Sequence, residues 1–436
     1  GEDLHMGKHV TLGMVGCGNI GAELVEVFDE RRAAIEASTG IDLRLTRIAV
    51  ADPAKPRSAA VSSRPLTGDY REVIGDPEID IVVELVGDVP EARDIVLGAL
   101  AAGKSVVTAN KALVSASGPE LFAQARASDV DLLFEAAAVA AVPVVRSVRE
   151  SLASEPVTRI VGILNGTSNY ILSRMAGEGL EYADVLAQAQ ALGYAEPDPT
   201  ADVEGHDSAA KLALLASLAF RHHVDVADVH AEGISGVARV DLKIAHDFGY
   251  AVKSLGVAES EPGDGAPVVR AQVFPALVPL AHPLASVHDT FNAVFVTGAD
   301  AGELMLYGRG AGQRPTASAL LGDILDAATN RVRGISRPPL VGEPARAGSV
   351  ADDIHPYYLR LELKDSPGVL SEVSGVFGTH GISLRVVEQH DSSEGAARVV
   401  FLTYPTTHGA LRAAVAELDG HSVVVRTGQV LRIFGT

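Results

Sequence analysis

The run Gly16-Cys17-Gly18-Asn19-Ile20-Gly21 constrains this chain more than any other feature. It follows a short apolar stretch, Val10 to Val15. It precedes a segment, Ala22 to Ala37, whose Leu24, Val27, Phe28 and Ile35 recur at helical spacing. In the pattern G-x-G-x-x-G the first glycine makes a tight turn, the second lets a pyrophosphate approach the backbone, and the third lets helix and sheet close together. The N–H groups of the helix start then face the phosphates. Strand, turn and helix in that order predict a dinucleotide-binding turn, with Gly16, Gly18, Asn19, Ile20 and Gly21 at the ligand. Further strands at Leu43 to Val50, Ile81 to Val86 and Ser105 to Thr108, with a helix at Glu91 to Ala102, continue the alternation of a doubly wound α/β sheet. Ligands of such sheets sit at the C-terminal strand ends, which brings in Gly87, Thr108 and Lys111. A lysine after a strand also has an ordinary reading as a surface residue.

Length and charge narrow the partners. A chain of 436 residues suggests roughly two to four domains. Its net charge of −20 repels phosphate-rich surfaces, so nucleic acid and anionic membranes are excluded as partners. Cys17 is the single cysteine, which rules out an internal disulfide framework and a cysteine-based zinc site and suits a reducing compartment. No apolar run has membrane-spanning length and no signal peptide is visible, so the expected location is cytoplasmic. Gly1 to Lys8 is polar, reads as an extension, and is left out of the fold reading.

Four segments follow. Residues 9–150 read as a Rossmann-type nucleotide domain, completed by a helix over 315–333 whose Ala319, Leu320, Ile324 and Ala327 need a surface to cover them. Residues 151–314 read as an α+β substrate and dimerisation domain, with strands at Val157 to Leu164, Val268 to Phe274 and Ala293 to Thr297. Its helices are expected at Ser168 to Gly177, Tyr182 to Gly193 and Gly205 to Phe220, and a glycine loop, Gly308 to Gly312, closes it. Residues 334–353, rich in proline, glycine and charge, read as a flexible linker. Residues 354–436 carry β-α-β-β-α-β order, the ferredoxin-like plan, ending in one strand from Val423 to Phe434.

The chemistry concentrates between Ala189 and Lys211, where Gly193, Tyr194, Glu196, Asp198, Asp202, Asp207 and Lys211 share one loop-to-helix passage. Asp207 and Lys211 are four apart and share a helix face. An isolated pair of this kind is ordinarily a surface ion pair. Here the helix continues as Leu212-Ala213-Leu214-Leu215-Ala216, so a buried helix opens with the pair and places it at an interior cleft. A desolvated lysine beside a carboxylate is a tuned proton donor. None of the fourteen histidines shows a metal-site spacing with a second ligand on a helix face, and the adjacent His222 and His223 read as structural or exposed. For the nucleotide, Asp52 after the second strand would hold a ribose 2′-hydroxyl and favour NAD, whereas Lys55 and Arg57 would suit the 2′-phosphate of NADP. Both choices stay open, as does the reading of all three as solvated loop charges.

The pattern Ala189-x-x-x-Gly193-Tyr194-Ala195, then Asp198-Pro199-x-x-Asp202-Val203-x-Gly205-x-Asp207-x-x-x-Lys211, closely resembles the signature of the homoserine dehydrogenase family. Gly162-Ile163-Leu164-Asn165-Gly166-Thr167-Ser168-Asn169-Tyr170-Ile171-Leu172 is similar to that family's substrate-domain motif, and Thr108-Ala109-Asn110-Lys111 also matches. The last segment, from Asp365-Ser366-Pro367-Gly368-Val369-Leu370, resembles an ACT regulatory domain. The resemblance implies reversible NAD(P)H-dependent reduction of L-aspartate 4-semialdehyde to L-homoserine. It implies Lys211 as general acid and base, Asp207 beside it, Lys111 between nicotinamide and substrate, and Glu196 on the substrate amino group. Tyr194, Thr167 and Asp202 would line the site, and Gly310 would join the cofactor residues. It also implies a sodium ion held by the loop of Glu135, Ala138, Ala140 and Val142. Two departures stand out. Ala140-Ala141 occupies positions where the family often has glycine, which limits the backbone angles of an ion cage. Ala51 replaces the arginine that many NADP-using members place before the acidic residue.

Two other readings remain at this point. One is another dehydrogenase of amino-acid metabolism with an ACT domain, resembling phosphoglycerate dehydrogenase, whose glycine motif lies mid-chain rather than at residue 16. The other is a non-catalytic sensor of NAD(P) and amino acid, against which Glu196, Asp207 and Lys211 together argue. The expected assembly is a homodimer or homotetramer built on residues 157–300. The expected effector is L-threonine at the turn 365–368, with Asp365 and Gln389 as its polar contacts.

Overall fold

The structure is a computed structural model that describes residues 8–390 and 396–435. The extension read at the N-terminus lies almost wholly outside the described residues. Among these, no helix is long and apolar enough to cross a membrane. The chain forms two compact units that are discontinuous in sequence: Gly1–Thr158 with Ala213–Val226 and Thr297–Ala345, and Arg159–Leu212 with Ala227–Val296 and Arg346–Thr436.

The first unit holds a six-stranded parallel sheet. Its strands in chain order are Lys8–Val15, Ile41–Ala49, Leu66–Thr67, Ile81–Glu84, Ser105–Thr108 and Leu132–Leu133, and their spatial order is 3-2-1-4-5-6. That order reverses beside the first strand, which creates the crevice where dinucleotides bind. The central strands are buried on both faces, so they read as apolar runs rather than as alternating ones. Helix Asn19–Thr39 packs on this sheet, as does helix Gln313–Arg333, whose Ala317, Leu320, Ile324 and Ala327 join the core of Leu12, Met14, Leu24 and Ile81. The late helix therefore completes the N-terminal sheet, as its apolar stripe requires. Strand Gly302–Arg309 precedes it, so the Gly308–Gly312 segment read as a loop begins as strand and turns only at Gly310.

The second unit is built on antiparallel strands Tyr250–Glu261 and Val268–Pro279, paired along their whole length. The first of these had no counterpart in the sequence reading. It is buried almost continuously, so it lacks alternation, and its buried Lys253 and Ser254 interrupt the apolar run that would have marked it. A Cβ at Gly256 would lie 2.9 Å from the tip of the Leu164 side chain, so a larger residue there would push that side chain aside.

The C-terminal module has strands Tyr357–Lys364, Leu384–His390 and Ala396–Thr403 with helices Val369–Thr379 and His408–Asp419. The single final strand expected from Val423 to Phe434 is two. Val424–Thr427 pairs with Tyr357–Lys364 inside the module. Leu431–Ile433 pairs both with that strand and with Val268–Pro279, which joins the module's sheet to that of the substrate region. Gly428 makes the break, its backbone N–H donating to the Arg360 carbonyl at 2.7 Å. Leu431, Ile433, Tyr358 and Val400 share one core with Val252, Leu277 and Leu242.

The 334–353 stretch, read from its composition as a flexible linker, carries short paired segments. Gly342–Pro344 pairs with His222–His223, and Arg346–Ala347 pairs with Val268–Pro279. Asp353 accepts from Arg270 at 2.9 Å. Backbone pairing decides order here, and proline and glycine content does not register it.

Candidate active site

The glycine turn has the geometry a pyrophosphate needs. Gly16 sits at φ +88°, and a Cβ there would lie 2.6 Å from the Leu85 carbonyl, so no other residue fits without movement. Gly18 caps the 21-residue helix Asn19–Thr39 with no side-chain hydrogen bond, and a Cβ at Gly18 or at Gly87 would meet nothing within 4 Å. An uncapped helix start facing open space suits phosphate. Gly21 packs against the Gly16 carbonyl, where a Cβ would approach to 3.2 Å.

Beside the turn, burial pushes the Cys17 thiol up, partly offset by the charge of Arg57. Arg57 thus sits within electrostatic reach of the glycine turn. Asp52 accepts from the Ala54 N–H at 2.9 Å, which commits one of its oxygens to the loop.

Thr108 is fully buried, and its hydroxyl donates to Glu84 at 2.6 Å and accepts from the Asn110 N–H at 2.9 Å. Its side chain therefore braces the sheet end. Burial pushes the Glu84 carboxyl up to about 7, against the hydrogen bonds from Thr108 and Val86. Asn110 caps helix Lys111–Ser128 by accepting from Leu113 N–H at 2.9 Å, which places Lys111 as the first helical residue. Gly310 is buried in the turn before Gly312, the N-cap of the long late helix.

The loop read as an ion site has a clear internal role for its acid. The Glu135 carboxylate accepts from the N–H groups of Val145 and Arg146 at 2.9 and 2.7 Å, so it caps the turn that follows. Burial pushes that carboxyl up, opposed by those bonds. Asp323 accepts from the Glu135 N–H at 2.8 Å. Ala140 adopts φ +40°, the left-handed conformation that glycine would take at least cost. Val142 closes the loop, its N–H on the Val139 carbonyl at 2.9 Å.

In the second unit the signature residues converge on Asn165, which the sequence reading did not single out. Asn165 caps helix Gly166–Glu178 by accepting from Ser168 N–H at 2.8 Å. Its amide donates to Asp202 at 2.7 Å and to Asp207 Oδ2 at 2.9 Å. Lys211 Nζ lies 2.8 Å from the same Asp207 oxygen and donates to the Leu164 carbonyl at 2.9 Å. The Lys211 and Asp207 side chains are each 13% exposed, so the pair borders a cleft rather than the open surface. Asn before Gly-Thr-Ser is a helix-cap pattern, and that signal was in the sequence. What it could not reveal is which carboxylates the amide would reach, since they lie 37 and 42 residues away.

Ser168 donates to the Asp202 carbonyl at 2.8 Å, and Thr167 donates to the Tyr194 carbonyl at 2.7 Å. The Tyr194 and Tyr170 rings meet edge to face at 5.0 Å. Gln190 donates to the carbonyls of Glu196 and Pro197 at 3.1 and 3.2 Å, which holds that turn while leaving the Glu196 side chain exposed. Asp202, Asp207 and Lys211 are thus linked through Asn165, and Thr167 and Tyr194 form a second bonded pair, with the Glu196 side chain exposed.

Known proteins match this chain over nearly its whole length. Residues 16–135 match the family model described as homoserine dehydrogenase, NAD binding domain. Residues 143–325 match that for homoserine dehydrogenase, and residues 357–420 match that for the ACT domain. The chain is 45% identical to a homoserine dehydrogenase of Mycobacterium tuberculosis, covering 98% of both. It is 43% identical to that of Corynebacterium glutamicum, covering 98% of this chain and 96% of the relative. A crystal structure of a homoserine dehydrogenase from Thiobacillus denitrificans superposes with a TM-score of 0.89 at 35% identity, over 98% of each chain. The chain belongs to the homoserine dehydrogenase family, oxidoreductases acting on a CH–OH group, and within that family it is a member with a C-terminal ACT domain.

Proposed function

We propose that the chain interconverts L-aspartate 4-semialdehyde and L-homoserine with Lys211 as the proton donor and acceptor. The observation that carries this is the single Asp207 oxygen shared by Lys211 and Asn165, at 2.8 and 2.9 Å. An ammonium has three N–H donors. Among the described residues two are committed, to Asp207 and to Leu164, which leaves one for a substrate oxygen. The nicotinamide supplies or receives the hydride. Lys211 stabilises the negative charge that grows on the aldehyde oxygen and delivers the proton. Glu196, Asp202 and Asp207 receive the substrate ammonium group, and Tyr194 and Thr167 shape the wall. Lys111 serves as the second catalytic lysine, on the cofactor side. Reduced-cofactor absorbance with homoserine as substrate tests the reading, and absence of turnover with either cofactor removes it.

Both NAD and NADP are expected to serve, with NADP preferred. Support for that preference comes from Arg57, which acts electrostatically on Cys17 in the glycine turn, and from the partial commitment of Asp52 to its own loop. Ala51→Arg should raise the NADP-to-NAD ratio of kcat/KM, and Arg57→Ala should lower it, each by about tenfold for 1.4 kcal/mol of phosphate contact. Ratios that stay put in both variants remove these positions from the specificity argument. A monovalent cation, sodium in the resemblance, would take backbone oxygens of the Glu135, Ala138, Ala140 and Val142 loop, donors that suit a hard ion. The half-buried single Cys17 suits a reducing, cytoplasmic setting.

The ACT module is read as a sensor of L-threonine. Gly368, at φ +91°, opens helix Val369–Thr379 without a side-chain cap, and both Asp365 and Gln389 are exposed. Removing the module is a poor test, since its strand Leu431–Ile433 completes the sheet of the substrate region. Threonine titration should inhibit the intact chain, and Asp365→Ala should weaken that inhibition by about tenfold, the usual scale of a lost charge-assisted hydrogen bond. Equal inhibition of both, or of neither, discards the threonine site.

A homodimer is the expected assembly. Strand Gly302–Arg309 exposes Leu304 and Tyr307, at 41% and 54%, beside the region read as the dimerisation surface. Light scattering that finds an active monomer at working concentration contradicts it.

A further inference from the structure

The strand His230–Ala231 pairs in parallel with Val268–Pro279, and the Glu232 N–H continues the ladder by donating to the Val273 carbonyl at 2.7 Å. Residues two apart on an extended chain share a face, so His230 and Glu232 point the same way. His408, the first residue of the ACT helix His408–Asp419, comes to that face from far along the sequence. His230 Nε2 is 3.1 Å from Glu232 Oε1, His408 Nε2 is 3.9 Å from the same oxygen, and one ligand atom from each of the three residues lies within 4.8 Å of the others. The group borders a cavity of about 370 Å³, also lined by Arg412, Asp419 and Gln429.

We propose that His230, Glu232 and His408 form a binding site for one divalent transition-metal ion of the zinc type, with its fourth position open to the cavity. Two imidazoles and a carboxylate are a donor set that zinc takes, and the 3.1 and 3.9 Å separations to Glu232 bracket the roughly 3.3 Å expected between ligands of one tetrahedral ion.

The surrounding groups are arranged as a second shell. Arg432 donates to Glu232 at 2.8 Å and to Gln272 at 3.2 Å, and lies 4.1 Å over the Phe274 ring. Metal on His408 Nε2 requires the proton on Nδ1. In the metal-bound form that proton would go to Tyr357 Oη, 3.4 Å away, and the Arg432 N–H, a donor that lies 3.3 Å from Nδ1 and meets it only as an acceptor, would stay on Glu232 and Gln272.

The site also touches the catalytic loop. Ile234 N–H donates to the Val203 carbonyl at 2.8 Å, and Gly233 packs so tightly on Val203 and Glu204 that a Cβ would lie 2.7 Å from the Val203 carbonyl. Val203 and Glu204 lie between Asp202 and Asp207 in the chain. An ion gripping His230 and Glu232 on one side and His408 on the other therefore ties the ACT module to the turn that carries the substrate carboxylates.

The test titrates chelator-treated full-length protein with Co²⁺ and then Zn²⁺, following the visible cobalt bands, calorimetric stoichiometry and Tm. One equivalent should bind, give the absorption of a low-symmetry four-coordinate cobalt site, be displaced by zinc, and raise Tm. His230→Asn should lower affinity by about a hundredfold or more, since it removes one of three ligands. His230 is 43% exposed, so that variant keeps its fold, and circular dichroism checks this. His408→Gln should act alike if it folds. His222→Asn, outside the cluster, should leave binding unchanged. No stoichiometric binding in the micromolar range, or binding that a folded His230→Asn variant retains in full, overturns the proposal.

Discussion

Lys211→Ala is expected to lower kcat by about 10²–10⁴-fold, the range for a lost general acid, while leaving the Kd of the nicotinamide cofactor within error. The asymmetry follows from where the lysine is held. Its two protein contacts, to Asp207 and to the Leu164 carbonyl, both belong to the signature loop and the substrate-domain motif. Neither belongs to the glycine turn. Alanine removes the charge that stabilises the developing alkoxide and leaves Asp207 facing the substrate alone, so an unfavourable carboxylate is added to a missing donor. Lys211→Arg keeps the charge but not the shape or the transferable proton, and is expected to recover little. Steady-state rates in both directions with a cofactor-binding titration check this. Near-normal turnover in the alanine variant would move the proton chemistry to another residue.

Asp241→Ala is expected to destabilise the second unit by about 3–5 kcal/mol, the scale for breaking a buried ion pair by removing one partner. Asp241 is fully buried and accepts from Arg360 at 2.7 and 3.3 Å, from Tyr358 Oη at 2.8 Å and from the Ala238 N–H at 3.0 Å. Burial and the Asp241 charge push the Tyr358 hydroxyl far up, so it stays a donor. These bonds join helix Arg239–Asp247 to the first ACT strand, Tyr357–Lys364. Alanine would leave the Arg360 guanidinium, 3% exposed, without its main counter-charge. The unfolding midpoint should fall by on the order of 10 °C. Asp247→Ala on the same helix removes only the exposed pair with Lys243 and should leave the midpoint unmoved. Equal effects of the two substitutions would show that burial of the Asp241 pair is not what secures the module.

Why some of this was legible in advance is seen residue by residue. Gly16 to Gly21 announced the nucleotide turn, because a positive φ and a close backbone approach can be met by glycine alone, and such a demand is written locally. Asp207 and Lys211 announced their contact, because a four-residue helical spacing puts them on one face whatever lies around them. The apolar stripe of helix Gln313–Arg333 stated that it needed a sheet.

Other features have no local trace. Asn165 reads as a helix cap, and only the folded chain brings Asp202 and Asp207 to its amide. Thr108 lies at a strand end where a ligand residue is expected, yet its hydroxyl is taken by Glu84. His230, Glu232 and His408 carried no pattern that singled them out. A cross-domain cluster has no spacing to recognise when its members come from the region of a short strand and from a helix that begins 177 residues after that strand ends.

By itself, then, the sequence determined the nucleotide turn, the signature pair, the family and the presence of a regulatory module, since each rests on short-range geometry or on a long contiguous pattern. The tertiary structure alone decided that Gly342–Pro344 and Arg346–Ala347 pair as short strands, and that Leu431–Ile433 inserts beside Val268–Pro279 and fuses the ACT sheet to the substrate region. Strand pairing is settled by which backbone edges meet and by what they bury together, and residues far apart in the chain carry no mark of that meeting until it has occurred.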